Sequence, residues 1–491
     1  MLAAIIVAYV VYCVTYVSGI DEYISDECWY VSASRNMLLK YFNVTPHGYW
    51  NGTRATLVLR SPPNSFIYGI WESKIREEVR NLGGVVIKGI DFYQYNEDGN
   101  FLPAVCVDVP PANLSKVCTI PYVVRCVVGY CYPNSRDIVD YMNYEHPPLC
   151  KYFIMLSMIV LGDYPVNWRV PSILAGAVIL VMIYAVLKLV IHNEIGGLLG
   201  IIATLATVMD PLFRSMSMVA MLDIYVALFT YLSLYLTLRN SLTGAALAIA
   251  LAFSSKFSGG FAGVPALIEW FRKEVPAKVL LAFIYIPIAV FIVLAIPTII
   301  HDGFVSWWAN SVEGAFRWHL SIKTTGGPPQ AMPWDWLVGR NAFVLHYIYD
   351  ETRGEWIADL VARGNVYIYL LTTALSIFVL PVARSLPDRG TVFLYTWGTY
   401  IMYVLAWVIG VKTQYSFYMI QITPMLYTTL FIIIHYLTTP VANTLHVAKK
   451  WYKIFKTVWD WLSGAASIVP VSYTHLRAPR DLSTSRMPSS A

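Results

Sequence analysis

Carboxylates and fixed cations occur at a few separate points along this otherwise apolar chain. The neighbouring pair Asp26 and Glu27 comes first and is followed by Arg35. Long apolar runs separate the remaining members, which are His146, Lys151, Arg169, Arg214, Asp223 and Lys256. A carboxylate can act as general base towards a hydroxyl, while Lys and Arg can bind a phosphate and stabilise it as a leaving group. The set therefore suits transfer from a lipid phosphate to a hydroxyl, although a transporter's polar path would share some of these residues.

The composition predicts a membrane protein. Hydrophobic residues form 57% of the 491 positions, charged residues form 13%, and the mean hydropathy is +0.55. A soluble globule carries about 25% charged residues. The apolar runs are long enough to cross roughly 30 Å of hydrocarbon, where an unpaired backbone amide is so costly that each run must be helical. The predicted fold class is an all-α polytopic membrane bundle.

About ten transmembrane helices and their orientation follow from the apolar runs and the charges beside them. The predicted spans are 2–20, 171–191, 196–209, 219–238, 242–254, 259–271, 279–300, 366–383, 392–409 and 417–436. If the chain starts inside, the basic residues next to five loops all fall on the cytoplasmic side. We expect a multi-pass protein of the cell membrane with both termini cytoplasmic and the polar site on the external face.

The domain organisation follows from the same runs. Residues 1–438 are predicted to form the membrane domain, with external loops at 21–168 and 301–364. The first run lacks a basic n-region and a cleavage site, so it is interpreted as a retained span. Residues 439–470 are predicted to be a cytoplasmic, amphipathic, basic tail, whereas 471–491 resemble a translated cloning adapter.

The first external loop is predicted to hold a small α/β insert of about 100 residues. Strand-like runs at 56–59 and 84–88 lie between Gly and Pro turns. Six cysteines fall in or next to the loop and allow up to three disulfides of undetermined pairing: Cys28, Cys106, Cys118, Cys126, Cys131 and Cys150. Glycosylation sequons begin at Asn43, Asn51 and Asn113. An oxidising, external location follows.

Several motifs resemble those of the dolichyl-phosphate-mannose protein mannosyltransferases. The stretch 26–36 (DECWYVSASRN) resembles the acidic motif after that family's first span, and 143–151 (NYEHPPLCK) resembles its His-Pro-Pro-Leu motif. Further motifs follow in the family's order, namely 168–172 (WRVPS), 221–223 (MLD), 255–257 (SKF) and 333–336 (PWDW). The resemblance covers roughly residues 1–436.

This resemblance implies the GT-C membrane glycosyltransferase fold, with the active site between the first external loop and the bundle. It implies inverting transfer of mannose from a polyprenyl (dolichyl) phosphate to a hydroxyl, most simply Ser or Thr of secreted proteins (protein O-mannosylation). Asp26 becomes the expected base and Glu27 its neighbour or substitute. Lys151, Arg169 and Lys256 become phosphate contacts, and His146 shapes the acceptor side. Three more residues complete the predicted substrate-binding set: Arg35, Arg214 and Asp223.

Two departures from the family pattern qualify these expectations. The second external loop, of about 60 residues, is too short for the β-trefoil insert of eukaryotic members, which indicates a prokaryotic, archaeal-type protein. Met218 stands where relatives often carry Arg, and whether Arg214 replaces that residue stays open.

Three alternatives to the favoured function were considered. The same donor could serve a glycan or lipid acceptor without changing any motif. An oligosaccharyltransferase is disfavoured because Trp307-Trp308 continue into Ala309-Asn310 rather than the expected signature. A transporter or flippase is disfavoured because the charges cluster towards the outer face rather than at the midplane. No cofactor is firmly implied, a divalent metal is left open, and no nucleic-acid partner is expected.

Overall fold

The computed structural model of the chain describes residues 1–46, 53–95, 101–128, 131, 138, 140–320 and 330–462. The chain begins with the apolar helix α1 (Leu2–Ser18), a short turn, and then helix α2 (Glu27–Phe42). Helix α2 ends where Asn43 adopts a left-handed conformation with φ 51°, a usual way of terminating a helix. The predicted first span coincides with α1. The adapter-like segment 471–491 and the sequon residue Asn51 lie outside the described residues.

The predicted α/β insert is present in the first loop. Its elements are β1 (Thr53–Leu59), α3 (Ser65–Asn81), β2 (Val85–Tyr95), β3 (Phe101–Val109), α4 (Leu114–Cys118) and β4 (Val123–Val128). The four strands form an antiparallel sheet in the order β2-β3-β1-β4. Helix α3 covers one face of the sheet, where Ile75 and Val79 share an apolar cluster with Leu57 and Val107. This small core is separate from that of the bundle.

Two disulfides join cysteines of the insert. They link Cys106 to Cys131 and Cys118 to Cys126. The remaining thiols, Cys13, Cys28 and Cys150, are free. The insert therefore contains two of the three disulfides that the sequence allowed.

The central part of the chain is helical. Its helices are α5 (Leu149–Leu161), α6 (Pro165–Val190), α7 (Glu194–Val208), α8 (Pro211–Ser217), α9 (Asp223–Leu238), α10 (Leu242–Ser255), α11 (Gly263–Phe271) and α12 (Pro276–Asp302). Helices α7 and α8 meet at 72°. The bend arises at Asp210, whose Oδ1 accepts a 3.0 Å hydrogen bond from the amide of Phe213, while Pro211 occupies the first helical position.

The last part combines short helices, a hairpin and four longer helices. After α13 (Phe304–Trp307), a π-helical turn (Trp308–Glu313), α14 (Gly314–Leu320) and α15 (Pro333–Val338) come the paired strands β5 (Phe343–Asp350) and β6 (Glu355–Ala362). Helices α16 (Val366–Val379), α17 (Thr391–Val408), α18 (Thr423–Thr438) and α19 (Ala442–Leu462) follow. Turns of 3-10 helix occupy Phe257–Ala262, Leu380–Ser385, Pro387–Gly390 and Ser416–Gln421.

The chain is a membrane protein with several apolar helices. By length and composition, four helices among the described residues can cross a bilayer: α6, α12, α17 and Val366–Ser385, which extends α16. Counting each bent pair, α7 with α8 and α18 with α19, as one span raises the number to six. Helices α1, α5, α9 and α10 are apolar but shorter. The predicted number of ten is therefore not established, because several predicted spans correspond to helices of 14–17 residues and 259–271 divides into a 3-10 turn and the nine-residue α11.

Close packing of α1 against α6 positions the loop that carries Asp26. A Cβ added at Gly176 of α6 would lie 2.2 Å from Tyr9 Oη of α1 and 2.6 Å from Ser217 Oγ of α8. Only glycine permits this approach, as is usual where membrane helices touch. The end of α1 consequently lies beside the beginning of α6, and the loop at 19–26 passes over both.

Candidate active site

Asp26 immediately precedes α2, and its carboxylate has no hydrogen-bond or ion-pair partner among the described residues. The side chain is half-buried and makes no capping hydrogen bond to its helix. Throughout the part of the chain that the structure describes, no donor or ion-pair partner contacts it. Burial raises the pKa of Asp26 to about 6; the positive charge of Lys256 opposes this rise and the negative charge of Asp223 adds to it. A carboxylate with a pKa near neutrality is suited to accept a proton.

Lys256 and Asp223 form a buried ion pair in the electrostatic surroundings of Asp26. Lys256 Nζ lies 2.9 Å from Asp223 Oδ1 and 3.1 Å from Oδ2. The lysine follows the end of α10, and the aspartate is the first residue of α9. The ammonium also lies 4.0 Å from the ring centroid of Tyr418, within the range of a cation–π interaction. The structure thus brings three predicted site residues together: a free carboxylate, a cation and that cation's partner.

Glu27 has a different environment from its neighbour Asp26. Its carboxylate accepts hydrogen bonds from Arg169 Nε at 2.9 Å and Arg169 Nη2 at 2.8 Å, and also from the amides of Ile24 and Ala220, each at 2.8 Å. Both oxygens are therefore engaged twice, and the side chain is fully buried. The carboxylate is poorly placed to receive a proton from a substrate.

Arg169 uses its guanidinium to fix the loop before Asp26. Besides Glu27, it donates to the carbonyl oxygens of Val17 at 3.3 Å, Ile20 at 2.9 Å and Glu22 at 2.6 Å. These contacts account for all five N–H groups of the buried side chain. Arg169 therefore ties the end of α1 to the start of α6 and retains no N–H for a phosphate.

Arg35 is likewise engaged inside the protein. It makes a bidentate ion pair with Asp163, at 2.6 and 2.9 Å, and donates to Tyr23 Oη at 2.6 Å. Its guanidinium lies 4.9 Å from the Trp168 ring centroid. Residue 35 thus links α2 to the segment just before α6.

Lys151 and His146 shape the loop between the insert and α5. Lys151 Nζ donates to the carbonyl oxygens of Asn143 at 2.6 Å and His146 at 3.0 Å, and burial lowers the pKa of Lys151 to about 8. The His146 ring meets Tyr30 edge-on, with centroids 5.8 Å apart. Both residues line a small pocket that Trp307 also lines. Lys151 and His146 therefore belong to a pocket beside α2, and Tyr30 lies between this pocket and Asp26.

Arg214 is not brought to Asp26. It lies half-buried on α8, with its guanidinium 5.9 Å from the ring centroid of Tyr12 on α1. The guanidinium of Arg214 forms no hydrogen bond or ion pair with any residue the structure describes. Its charge acts on Cys13 and Tyr16 of α1.

Several tyrosines near Asp26 were missed by the sequence interpretation. The charge of Asp26 acts on the phenols of Tyr30, Tyr415 and Tyr418. Tyr30 belongs to the motif at 26–36, so its position four residues after Asp26, one helical turn, could have indicated it. Tyr415 and Tyr418 lie at the start of the last predicted span, in the run Tyr-Ser-Phe-Tyr, a polar aromatic group that could equally have been an interface belt.

Among the residues with described positions, no group of three or more His, Cys, Asp or Glu side chains could hold a metal ion.

Comparisons with known proteins are consistent with part of the motif assignment. The family model described as dolichyl-phosphate-mannose-protein mannosyltransferase matches residues 145–301. This segment contains six of the nine predicted site residues: His146, Lys151, Arg169, Arg214, Asp223 and Lys256. Asp26, Glu27 and Arg35 lie before it. No curated protein sequence matches the chain.

Two solved structures share a partial likeness with this chain. ArnT from Cupriavidus metallidurans bound to undecaprenyl phosphate is 11% identical, with a TM-score of 0.42 over 59% of this chain and 50% of that one. The apo state of ArnT gives 12% identity and a TM-score of 0.41, over 59% and 49% of the two chains. The chain thus spans about half the length of these proteins. As its motifs predicted, the chain resembles the dolichyl-phosphate-mannose-protein mannosyltransferase family, and the match extends over residues 145–301.

Proposed function

We propose that this protein is a membrane glycosyltransferase that moves mannose from a polyprenyl (dolichyl) phosphate to an acceptor hydroxyl, on Ser or Thr of proteins exposed at the external face. The observation that carries the proposal is the unpartnered carboxylate of Asp26, whose pKa is raised to about 6 in the surroundings of the Lys256–Asp223 pair. The family match over 145–301 supports the donor class. The GT-C fold belongs to the same proposal.

In the proposed reaction, Asp26 is the general base. Its carboxylate removes the proton from the acceptor hydroxyl while that oxygen attacks C1 of the sugar. The bond from C1 to the phosphate oxygen breaks, and its electron pair leaves with the polyprenyl phosphate. A single displacement of this kind inverts the configuration at C1.

Lys256 is proposed to stabilise the leaving phosphate. Its ammonium is buried, and Asp223 and Tyr418 hold it at 2.9 Å and 4.0 Å, respectively. A cation fixed in advance stabilises developing negative charge without reorganising during the reaction. The lysine follows an apolar helix, α10, so a lipid tail can remain in the bilayer while its phosphate reaches the ammonium.

Glu27 and Arg169 are proposed to position the base. Their bidentate pair, together with the bonds from Arg169 to three carbonyl groups, fixes the turn that leads into Asp26. A displacement of about 1 Å in a reacting group can cost roughly 100-fold in rate. This proposal replaces the expected roles of Glu27 as a second base and Arg169 as a phosphate contact.

The test is the release of polyprenyl phosphate by purified protein from mannosyl-labelled donor. We expect release that depends on an added peptide or glycan acceptor. Lys256→Met should lower kcat/KM for the donor at least about tenfold, because a charge-assisted contact to the leaving phosphate contributes roughly 1.5–3 kcal/mol. Lys74→Met, which changes an exposed lysine of α3, should have no effect. Movement of intact donor across the bilayer without release would instead identify a flippase and contradict the proposal.

A further inference from the structure

Helix α19 separates its basic and apolar side chains onto opposite faces. At about 100° per residue, Lys449, Lys450, Lys453 and Lys456 share one face, and all four are exposed. The opposite face carries only apolar and aromatic side chains: Val447, Ala448, Trp451, Tyr452, Ile454, Phe455, Val458, Trp459 and Leu462. Such a helix is suited to lie at a boundary between water and an apolar phase.

The rest of the protein fixes the orientation of α19. The helix lies at 97° to α18, the last predicted span, so it runs across the bundle axis and parallel to the membrane plane. Its first half is anchored where Trp451 Nε1 donates a 2.7 Å hydrogen bond to the carbonyl oxygen of Phe378. Val447 is buried in a cluster with Val379 and Ile433. The direction of the helix is therefore set by contacts with α16 and α18.

The second half of the apolar face is uncovered. Phe455 is 63% exposed, Trp459 70% and Leu462 67%. Large apolar side chains in such a row are unfavourable in water and mark a site of interaction. Between α16 and α19, Ile377, Phe378, Tyr452 and Phe455 line an apolar groove that is open to the outside. The groove is continuous with the apolar surface of α16, a helix able to cross the bilayer.

We propose that α19 binds the anionic phospholipids of the leaflet at the end of α18. The four lysines contact lipid phosphates, the exposed aromatic side chains enter the upper acyl region, and the groove beside α16 receives an acyl chain. Charge complementarity favours this occupant, because a basic face above an apolar face matches a negatively charged bilayer surface. This inference is independent of the proposed transferase activity.

The test measures the depth of spin labels on the full chain in nanodiscs of phosphatidylcholine with or without phosphatidylglycerol. Labels are attached at Trp459→Cys, on the apolar face, and Thr457→Cys, on the basic face, with Cys28 replaced by Ser. With phosphatidylglycerol present, we expect the label at 459 to collide with oxygen and be shielded from a water-soluble nickel complex. The label at 457 should collide with the nickel complex and show little collision with oxygen.

Reversing the charge of the four lysines tests whether they hold α19 at the anionic membrane surface. Replacing the four lysines with Glu should reduce the immersion of the label at 459 in phosphatidylglycerol nanodiscs. Replacing Lys74, Arg80 and Lys116 of the insert with Glu should leave the immersion of this label unchanged. Exposure of the label at 459 to nickel would show a helix in water, and shielding from both reagents would show a protein partner. Either result, or immersion that is unaffected by the four Glu substitutions, would overturn the proposal.

Discussion

Asp26 and Glu27 are adjacent carboxylates with opposite surroundings. Glu27 accepts two N–H groups from Arg169 and two from the backbone, whereas Asp26 accepts none from the described residues. A carboxylate whose oxygens already accept four hydrogen bonds has no free position for the proton of a substrate. Asp26 is half-buried, has free oxygens and has a raised pKa, so the proposed chemistry belongs to Asp26.

The first prediction concerns the pH dependence of transfer. Burial raises the pKa of Asp26 to about 6, and only the ionised carboxylate can take the acceptor's proton. We expect kcat/KM to fall about tenfold per pH unit below this pKa and to level off above it. Initial rates of sugar transfer in membranes at a series of pH values measure this profile.

The control for the pH profile is Asp21→Asn. This variant removes a nearby exposed carboxylate and should leave the inflection of kcat/KM near pH 6 in place. A rate that stays constant as the pH is lowered through about 6 would show that Asp26 is not the titrating base.

The sequence could not separate these two carboxylates. The motif at 26–36 pointed to the pair, but the partner of Glu27 is 142 residues away and the amide of Ala220 is 193 residues away. Such contacts depend on how α1, α6 and α9 pack. Similarly, nothing local distinguishes Lys151, which donates to the carbonyl groups of its own loop, from Lys256, which faces Asp223.

Among the elements of the fold, the joint between α1 and α6 determines where Asp26 lies. The glycine at 176 allows the two helices to approach, and Arg169 then bonds to the chain that leaves α1. Because Glu27 and Arg169 are both fully buried, the loss of either partner leaves an uncompensated charge in an apolar environment.

The second prediction follows from this buried pair. Arg169→Met should destabilise the protein by roughly 3–5 kcal/mol, because Glu27 is then buried without its counterion. The double variant Arg169→Met with Glu27→Gln should recover part of that loss. Thermal unfolding in detergent, followed by the fraction of protein that stays monodisperse, measures both variants. An Arg169→Met variant as stable as the native chain would contradict the stabilising role of the Arg169–Glu27 ion pair.

Element prediction succeeded where local signals were strong. The runs at 56–59 and 84–88 correspond to parts of β1 and β2, because short apolar runs with β-branched residues between Gly and Pro turns specify strands locally. Span lengths were harder to predict. The run at 259–271 is apolar in sequence except for Glu269. Gly259 nevertheless packs so closely on Ala252 that a Cβ would lie 2.1 Å from the carbonyl oxygen of Ala252, and the segment begins as a 3-10 turn.

For the whole molecule, composition alone identified a helical membrane protein. Hydropathy fixed which segments are apolar but not how many of them cross the bilayer, because bent pairs such as α7 with α8 depend on local caps. The loop cysteines predicted an oxidised insert, but not which four of them pair. The external position of Asp26 and Lys256 remains a prediction from the distribution of basic residues.

The site combines residues from distant parts of this architecture. Asp26 comes from the loop after α1, Asp223 from the start of α9 and Lys256 from the end of α10. Two of these three residues lie in the segment that matches the mannosyltransferase family, and Asp26 does not. The proposed role of Asp26 therefore rests on its surroundings in the structure and not on the family match.

The role of Asp26 as general base is tested by the transfer of radiolabelled mannose from dolichyl-phosphate-mannose. The transfer is measured in membranes that contain the native chain, Asp26→Asn or Asp21→Asn at equal expression. We expect the native chain and Asp21→Asn to transfer alike. Asp26→Asn should be slower by at least about 100-fold, the scale of losing a general base. Equal transfer by all three chains would contradict the assignment of Asp26 as the base.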